Sequence, residues 1–98
     1  MFLLIGDDIS VRTRDVVLIL DADTATKNPA TRRLWQQMER DGLIVDCAFD
    51  LPRSLILVKQ PARDAVLYLS RFSPATLRER ANKRKGRNSL DGKEFTVR

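Results

Sequence analysis

Ninety-eight residues, 43% of them hydrophobic and with a formal charge of +5, define one modest domain near the size where self-association often helps complete a core. One cysteine and no histidine exclude an internal disulfide and an ordinary zinc site, and no apolar run reaches the roughly 20 residues of a membrane span. The opening Phe2-Leu3-Leu4-Ile5 is too short, and lacks the basic flank, for a signal peptide, so the expected setting is the cytoplasm, with no membrane partner.

In chain order, Phe2–Ile5 reads as an edge strand closed by the turn residues Gly6-Asp7-Asp8. Ile9–Arg14 alternates apolar and polar and predicts a strand whose wet face carries Ser10, Arg12 and Arg14. Val16–Leu20 predicts a strand apolar on both faces, and Asp21–Lys27 a loop. Asn28-Pro29 is a cap followed by proline at the first helical position. The helix it opens runs to about Asp41, and Gly42 supplies a left-handed end. Ala30, Leu34, Met38 and Trp35 form its expected apolar stripe.

Gly42–Phe49 and Ser54–Lys59, separated by Asp50-Leu51-Pro52-Arg53, predict a strand–turn–strand pair. Its second arm is apolar on both faces, with Leu55 and Leu57 on one and Ile56 and Val58 on the other. Ala65–Ser70 predicts a further strand. Ser73-Pro74 starts a second helix that runs to about Arg84, with Leu77 and Ala81 inward and Gly86 at its end. The fold expected is α+β: a small antiparallel sheet of five or six strands, one helix across it and a helix at the C-terminal end. One helix covers one face, so the second apolar face predicts an obligate homo-oligomer.

Charge is unevenly placed. Residues 1–70 hold 9 Lys/Arg against 10 Asp/Glu, whereas residues 71–98 hold 9 against 3. The chain therefore reads as a near-neutral body over residues 1–70 with a basic end from residue 71; the expected domain spans residues 1–85, followed by a basic, mobile tail over 86–98. Such an end meets nucleic acid, or simply aids solubility. Arg12, Arg14 and Arg53 at strand ends are ordinary solvated charges one by one. Together with Arg78, Arg80, Lys83, Arg84, Lys85 and Arg87 they define a candidate phosphate-binding surface.

One motif points to catalysis. Leu18-Ile19-Leu20-Asp21-Ala22-Asp23-Thr24 is similar to the nucleophile motif of the haloacid-dehalogenase phosphatases, in which the first Asp attacks phosphorus beside Mg²⁺. That superfamily needs a larger doubly wound sheet, and turn-forming aspartates account for the motif here. Cys47 reads as a small hydrophobe, Trp35 and Tyr68 as core or interface. The expectation is a protein without enzyme activity, cofactor, metal or small-molecule substrate.

Several ordered pieces carry a family resemblance. They are Gly6-Asp7-Asp8 before an Ile-Ser strand, Thr13-Arg14-Asp15-Val16-Val17, Pro52-Arg53-Ser54 before an aliphatic run, and Leu67-Tyr68-Leu69-Ser70 leading to Ser73-Pro74-Ala75-Thr76-Leu77-Arg78-Glu79-Arg80-Ala81. Over roughly residues 1–82 the chain resembles the bacterial extracellular-matrix regulators RemA and RemB, nearer the RemB branch. The resemblance implies a cytoplasmic, nucleoid-associated regulator of biofilm matrix genes that binds double-stranded DNA. It further implies a LytTR-like subunit fold and assembly into a ring. Arg14 matches one of the family's important arginines. In the turn the RemA branch has adjacent arginines where this chain has Leu51-Pro52, followed by Arg53. A protein-interaction scaffold that has lost DNA binding, and an RNA-binding protein, are the alternatives.

Overall fold

The computed structural model describes residues 1–87, with side chains described as far as residue 82. Its elements are β1 (Phe2–Leu4), β2 (Ser10–Arg12), a 3-10 turn (Thr13–Asp15), β3 (Val16–Asp21), α1 (Ala22–Lys27), α2 (Pro29–Arg40), β4 (Ile44–Asp46), β5 (Ser54–Gln60), β6 (Arg63–Ser70) and α3 (Pro74–Arg87). The α+β class holds, but the strands divide between two sheets: an antiparallel pair β1-β2, and a four-stranded sheet in the order β3-β5-β6-β4.

Local chemistry sets several boundaries. Asn28 Oδ1 accepts from Thr31 N at 3.1 Å and caps α2, whose first residue is Pro29. Gly42 ends that helix region at φ 69°, a conformation that suits a residue without Cβ. Ser73 Oγ accepts from Thr76 N at 3.1 Å and caps α3. Pro61-Ala62 forms the tight turn between β5 and β6, with Gln60 opposite Arg63.

The strand–turn–strand expectation for residues 42–59 is corrected. β4 has only three residues and does not pair with β5; it lies parallel to β6, with Ile44 opposite Leu67 and Asp46 opposite Leu69. β5 instead pairs antiparallel with β3 on one side and β6 on the other. The two-residue turn delivers β6 to β5 immediately, and β4 takes the edge that remains. Phe49, expected at the end of a strand, lies outside β4 and is 81% exposed.

Residues 21–27, expected as a loop, form α1. Asp21 Oδ1 accepts from Asp23 N at 2.8 Å and Thr24 N at 3.4 Å, so the aspartate that suggests a turn is a helix cap. α3 runs through Gly86 to Arg87 rather than stopping near Arg84. In α2 only Met38 is buried; Trp35 is half-buried, while Ala30 and Leu34 of the expected stripe are exposed.

The four-stranded sheet is covered on both faces from within the chain. Val16, Ile19, Ile56 and Val58 pack with Leu3, Ile5 and Val11 of the β1-β2 pair and with Leu77 and Ala81 of α3. Leu20, Leu55, Leu67 and Leu69 pack on the opposite face with Ala25 of α1 and Met38 of α2. The argument that a second copy must cover one face therefore fails. An irregular register between Val16 and Leu18 leaves Val17 out of the ladder and 55% exposed.

Two buried serines join these layers. Ser70 Oγ donates to Ile5 O at 2.6 Å and accepts from Phe72 N at 3.1 Å. Ser54 Oγ donates to Phe72 O. The free thiol of Cys47 is buried beside Gly6, where an added Cβ would lie 3.1 Å from Cys47 Cβ.

Ser70→Ala is expected to lower stability by about 1–3 kcal/mol, read by urea unfolding, because a buried carbonyl and N–H lose their partner. Desolvation, followed by the charge of Asp46, raises the pKa of Cys47 above its ordinary value. A folded pKa above the unfolded one favours the protonated fold, so this contribution is complete below the unfolded thiol pKa and is lost as pH rises through the folded one. Unfolding followed from pH 7 to 10 is expected to show that alkaline loss, and Cys47→Ala to remove it. Thiol-directed reagents are expected to modify Cys47 slowly until the chain unfolds.

Candidate functional site

The register of β3 and β5 places the predicted arginines. Arg14 lies in the 3-10 turn before β3, at the level where Val16 faces Val58. Arg53 immediately precedes β5, where Ser54 faces Asp21 at the far end of β3. The two strands are antiparallel, so Arg14 and Arg53 mark opposite ends of the sheet. The partner strand covers this span in four steps, Val58 to Ser54, which correspond to roughly 13 Å. Convergence of the two side chains on one rim of a single subunit is not what the fold provides.

At the first end, Arg12 and Arg14 border a shallow concavity of about 420 Å³ together with Met1, Phe2 and Thr13. Backbone pairing fixes this corner: Phe2 faces Arg12 across β1-β2, and Thr13 N donates to Met1 O at 3.2 Å. Both arginines are exposed.

At the second end, Arg53 and Arg78 line a larger concavity of about 550 Å³ with Asp21, Asp23, Leu51, Pro52, Ser73 and Pro74. The Arg53 backbone is held on both sides, its N–H donating to Ser70 O at 2.8 Å and its carbonyl accepting from Ala22 N at 3.0 Å. That anchoring leaves the side chain exposed on a fixed base. The site is mixed in charge, which favours a ligand that meets cations and is bounded by carboxylates.

Arg80 belongs to another category of contact. Its Nη1 donates to Leu4 O at 3.1 Å and its guanidinium lies 4.4 Å from the Phe72 ring centroid, so it clamps α3 to β1. Arg71, absent from the sequence reading, pairs with Asp7 and lies 4.9 Å from the same ring. Lys83, Arg84, Lys85 and Arg87 lie on the last turns of α3, with side chains outside the described ones. The tail beyond residue 87, including Leu90 and Phe95, lies outside the described residues. Among the described residues no group of three or more His, Cys, Asp or Glu side chains is placed to hold a metal ion, and no helix is long and apolar enough to cross a membrane.

The family model for RemA-like proteins, described as extracellular matrix regulatory protein A-like, matches residues 2–81. No curated protein matches the chain. The match covers β1 to β6, the first half of α3 and the lining of both concavities apart from Met1, and the chain belongs to this family of extracellular-matrix regulators.

The contact pattern separates structural from available arginines. Arg80→Ala is expected to cost about 1–2 kcal/mol of stability through its lost carbonyl bond and ring contact. Arg53→Ala is expected to stay within about 0.5 kcal/mol of the parent. Thermal unfolding of the two variants, side by side, checks the distinction.

Proposed function

We propose that this chain is an oligomeric DNA-binding regulator of extracellular-matrix (biofilm) genes, associated with the nucleoid and gripping duplex DNA by its phosphates. The observation that carries the reading is the pairing of a family match over residues 2–81 with exposed arginines at both ends of one rigid sheet. Arg12 and Arg14 supply cations at one end, Arg53 and Arg78 at the other. Guanidinium forks suit phosphate oxygens bidentately and hold register without reading bases, so sequence preference is lax. Repetition of the subunit in a ring multiplies modest contacts along a curved duplex. The basic residues 83–87 add electrostatic reach.

Leu51-Pro52 favours a second reading, a ring that binds protein rather than DNA, because it puts an exposed apolar side chain where the RemA branch has adjacent arginines. Gel retardation of duplex DNA across a salt series decides between them. The parent is expected to bind with a steep loss in salt, the logarithmic slope falling by about 0.9 for each phosphate contact removed. Arg14→Ala and Arg53→Ala are expected to abolish most binding, while Arg40→Ala, on exposed α2, leaves it intact. Absence of retardation for the parent overturns the DNA reading, and full binding by both arginine variants overturns the assignment of the contacts to Arg14 and Arg53. Preference for single-stranded RNA redirects it.

A further inference from the structure

The four-stranded sheet is covered on both faces but open along one edge. β3 is its outermost strand, paired with β5 on one side and with no strand of the described residues on the other. The irregular register between Val16 and Leu18 interrupts that edge, so the regular ladder runs from Leu18 to Asp21. A bulge in an edge strand deters indiscriminate pairing and confines an added strand to the stretch beyond it.

Beside that stretch lies a groove of about 470 Å³ between β3 and the two helices α1 and α2. Its apolar lining is Leu18 and Leu20 of β3, Ala25 of α1, and Ala30 and Leu34 of α2. Leu34 belongs to the apolar stripe of its helix and is nonetheless 37% exposed. The rim of the groove is cationic. Arg33 is exposed in the row of α2 next to Ala30 and Leu34, and the exposed Lys27 immediately precedes Asn28, which lines the groove. No carboxylate lines it; Asp21 and Asp23 line the concavity at the end of β3 instead.

An open strand edge offers backbone donors and acceptors to an extended chain. An adjoining groove takes that chain's alternate side chains, and rim cations select carboxylates. We propose that the β3 edge and this groove bind a short, acidic, extended segment of a partner protein. The segment adds to Leu18–Asp21 as a strand, sets two alternate apolar side chains into the groove and places carboxylates beside Arg33 and Lys27. The chain's own residues 83–98 are rich in Lys and Arg and do not suit that rim. Arg12, Arg14, Arg53 and Arg78 take no part, so the surface stands independently of the DNA reading.

The probe is a synthetic peptide in which threonine alternates with glutamate, valine, leucine and glutamate, and the control has lysine in place of both glutamates. Fluorescence anisotropy of labelled peptides gives affinity for the full chain, with circular dichroism as the folding control. Trp35, the single tryptophan, packs in the cluster that holds Leu20 and Ala25, so its emission reports where the unlabelled peptide sits. The glutamate peptide is expected to bind, to shift that emission, and to bind roughly fivefold more tightly than the lysine control. Leu34→Asp is expected to weaken it about tenfold, and Arg33→Glu to reverse the preference between the peptides. No binding by the parent, binding without a shift in Trp35 emission, equal affinity for the two peptides, or parent-like behaviour of either variant overturns the proposal. Tighter binding of a peptide copying residues 88–98, or loss of peptide binding as the chain self-associates, overturns the assignment to a partner protein.

Discussion

Everything in this fold depends on β5 having apolar cover on both faces. Leu55, Ile56 and Val58 are each at most 3% exposed and occupy alternate sides of one strand. A central strand of that kind is stable only inside a three-layer arrangement. The chain supplies the layers economically, with α1 and α2 on one side and the β1-β2 pair with α3 on the other. The small antiparallel pair at the start of the chain is therefore core, not trimming. Ser70, which binds Ile5 O, ties it to the end of β6.

The same constraint explains which parts of the fold were legible in the sequence. Local signals were reliable where the chemistry is local: Asn28-Pro29, Gly42 and Ser73-Pro74 mark helix ends because caps act within a turn. Asp21 misled because one carboxylate serves turns and helix caps alike, and only the following Ala22–Lys27 segment packing on β3 selects the helix. The β4 assignment failed for a nonlocal reason. Two consecutive aliphatic runs suggest a hairpin, but pairing depends on which strand reaches β5 first, and the tight turn after β5 gives that place to β6. The second cover was missed because Leu3, Ile5 and Val11 look like edge-strand residues until the pair folds over the sheet.

The candidate site shows a similar division. Residue type identified the arginines, and Arg12, Arg14, Arg53 and Arg78 are indeed on the surface. Their arrangement was not legible, since position along a strand says nothing about which end of an antiparallel sheet a residue occupies until register is fixed. Arg78 and Arg80 make the point within one helix. Two residues apart, they project in different directions: Arg78 lines the concavity with Arg53, whereas Arg80 is spent on Leu4 O and the Phe72 ring. Arg71 was missed because its role comes from Asp7, far away in sequence.

Complete internal cover also changes what self-association means for this molecule. With both sheet faces buried, attraction between copies has to come from the ends and edges, where apolar area is small and charges are dense. Contacts of that kind are weak singly and directional, because a misplaced carboxylate or guanidinium is penalised as strongly as a well-placed one is favoured. Direction matters more than strength for a repeating assembly, in which each copy must meet the next at the same angle. The sheet provides that angle: Arg14 and Arg53 sit at the two ends of one hydrogen-bonded strand pair, so the spacing between them is set by the same ladder that holds the core together.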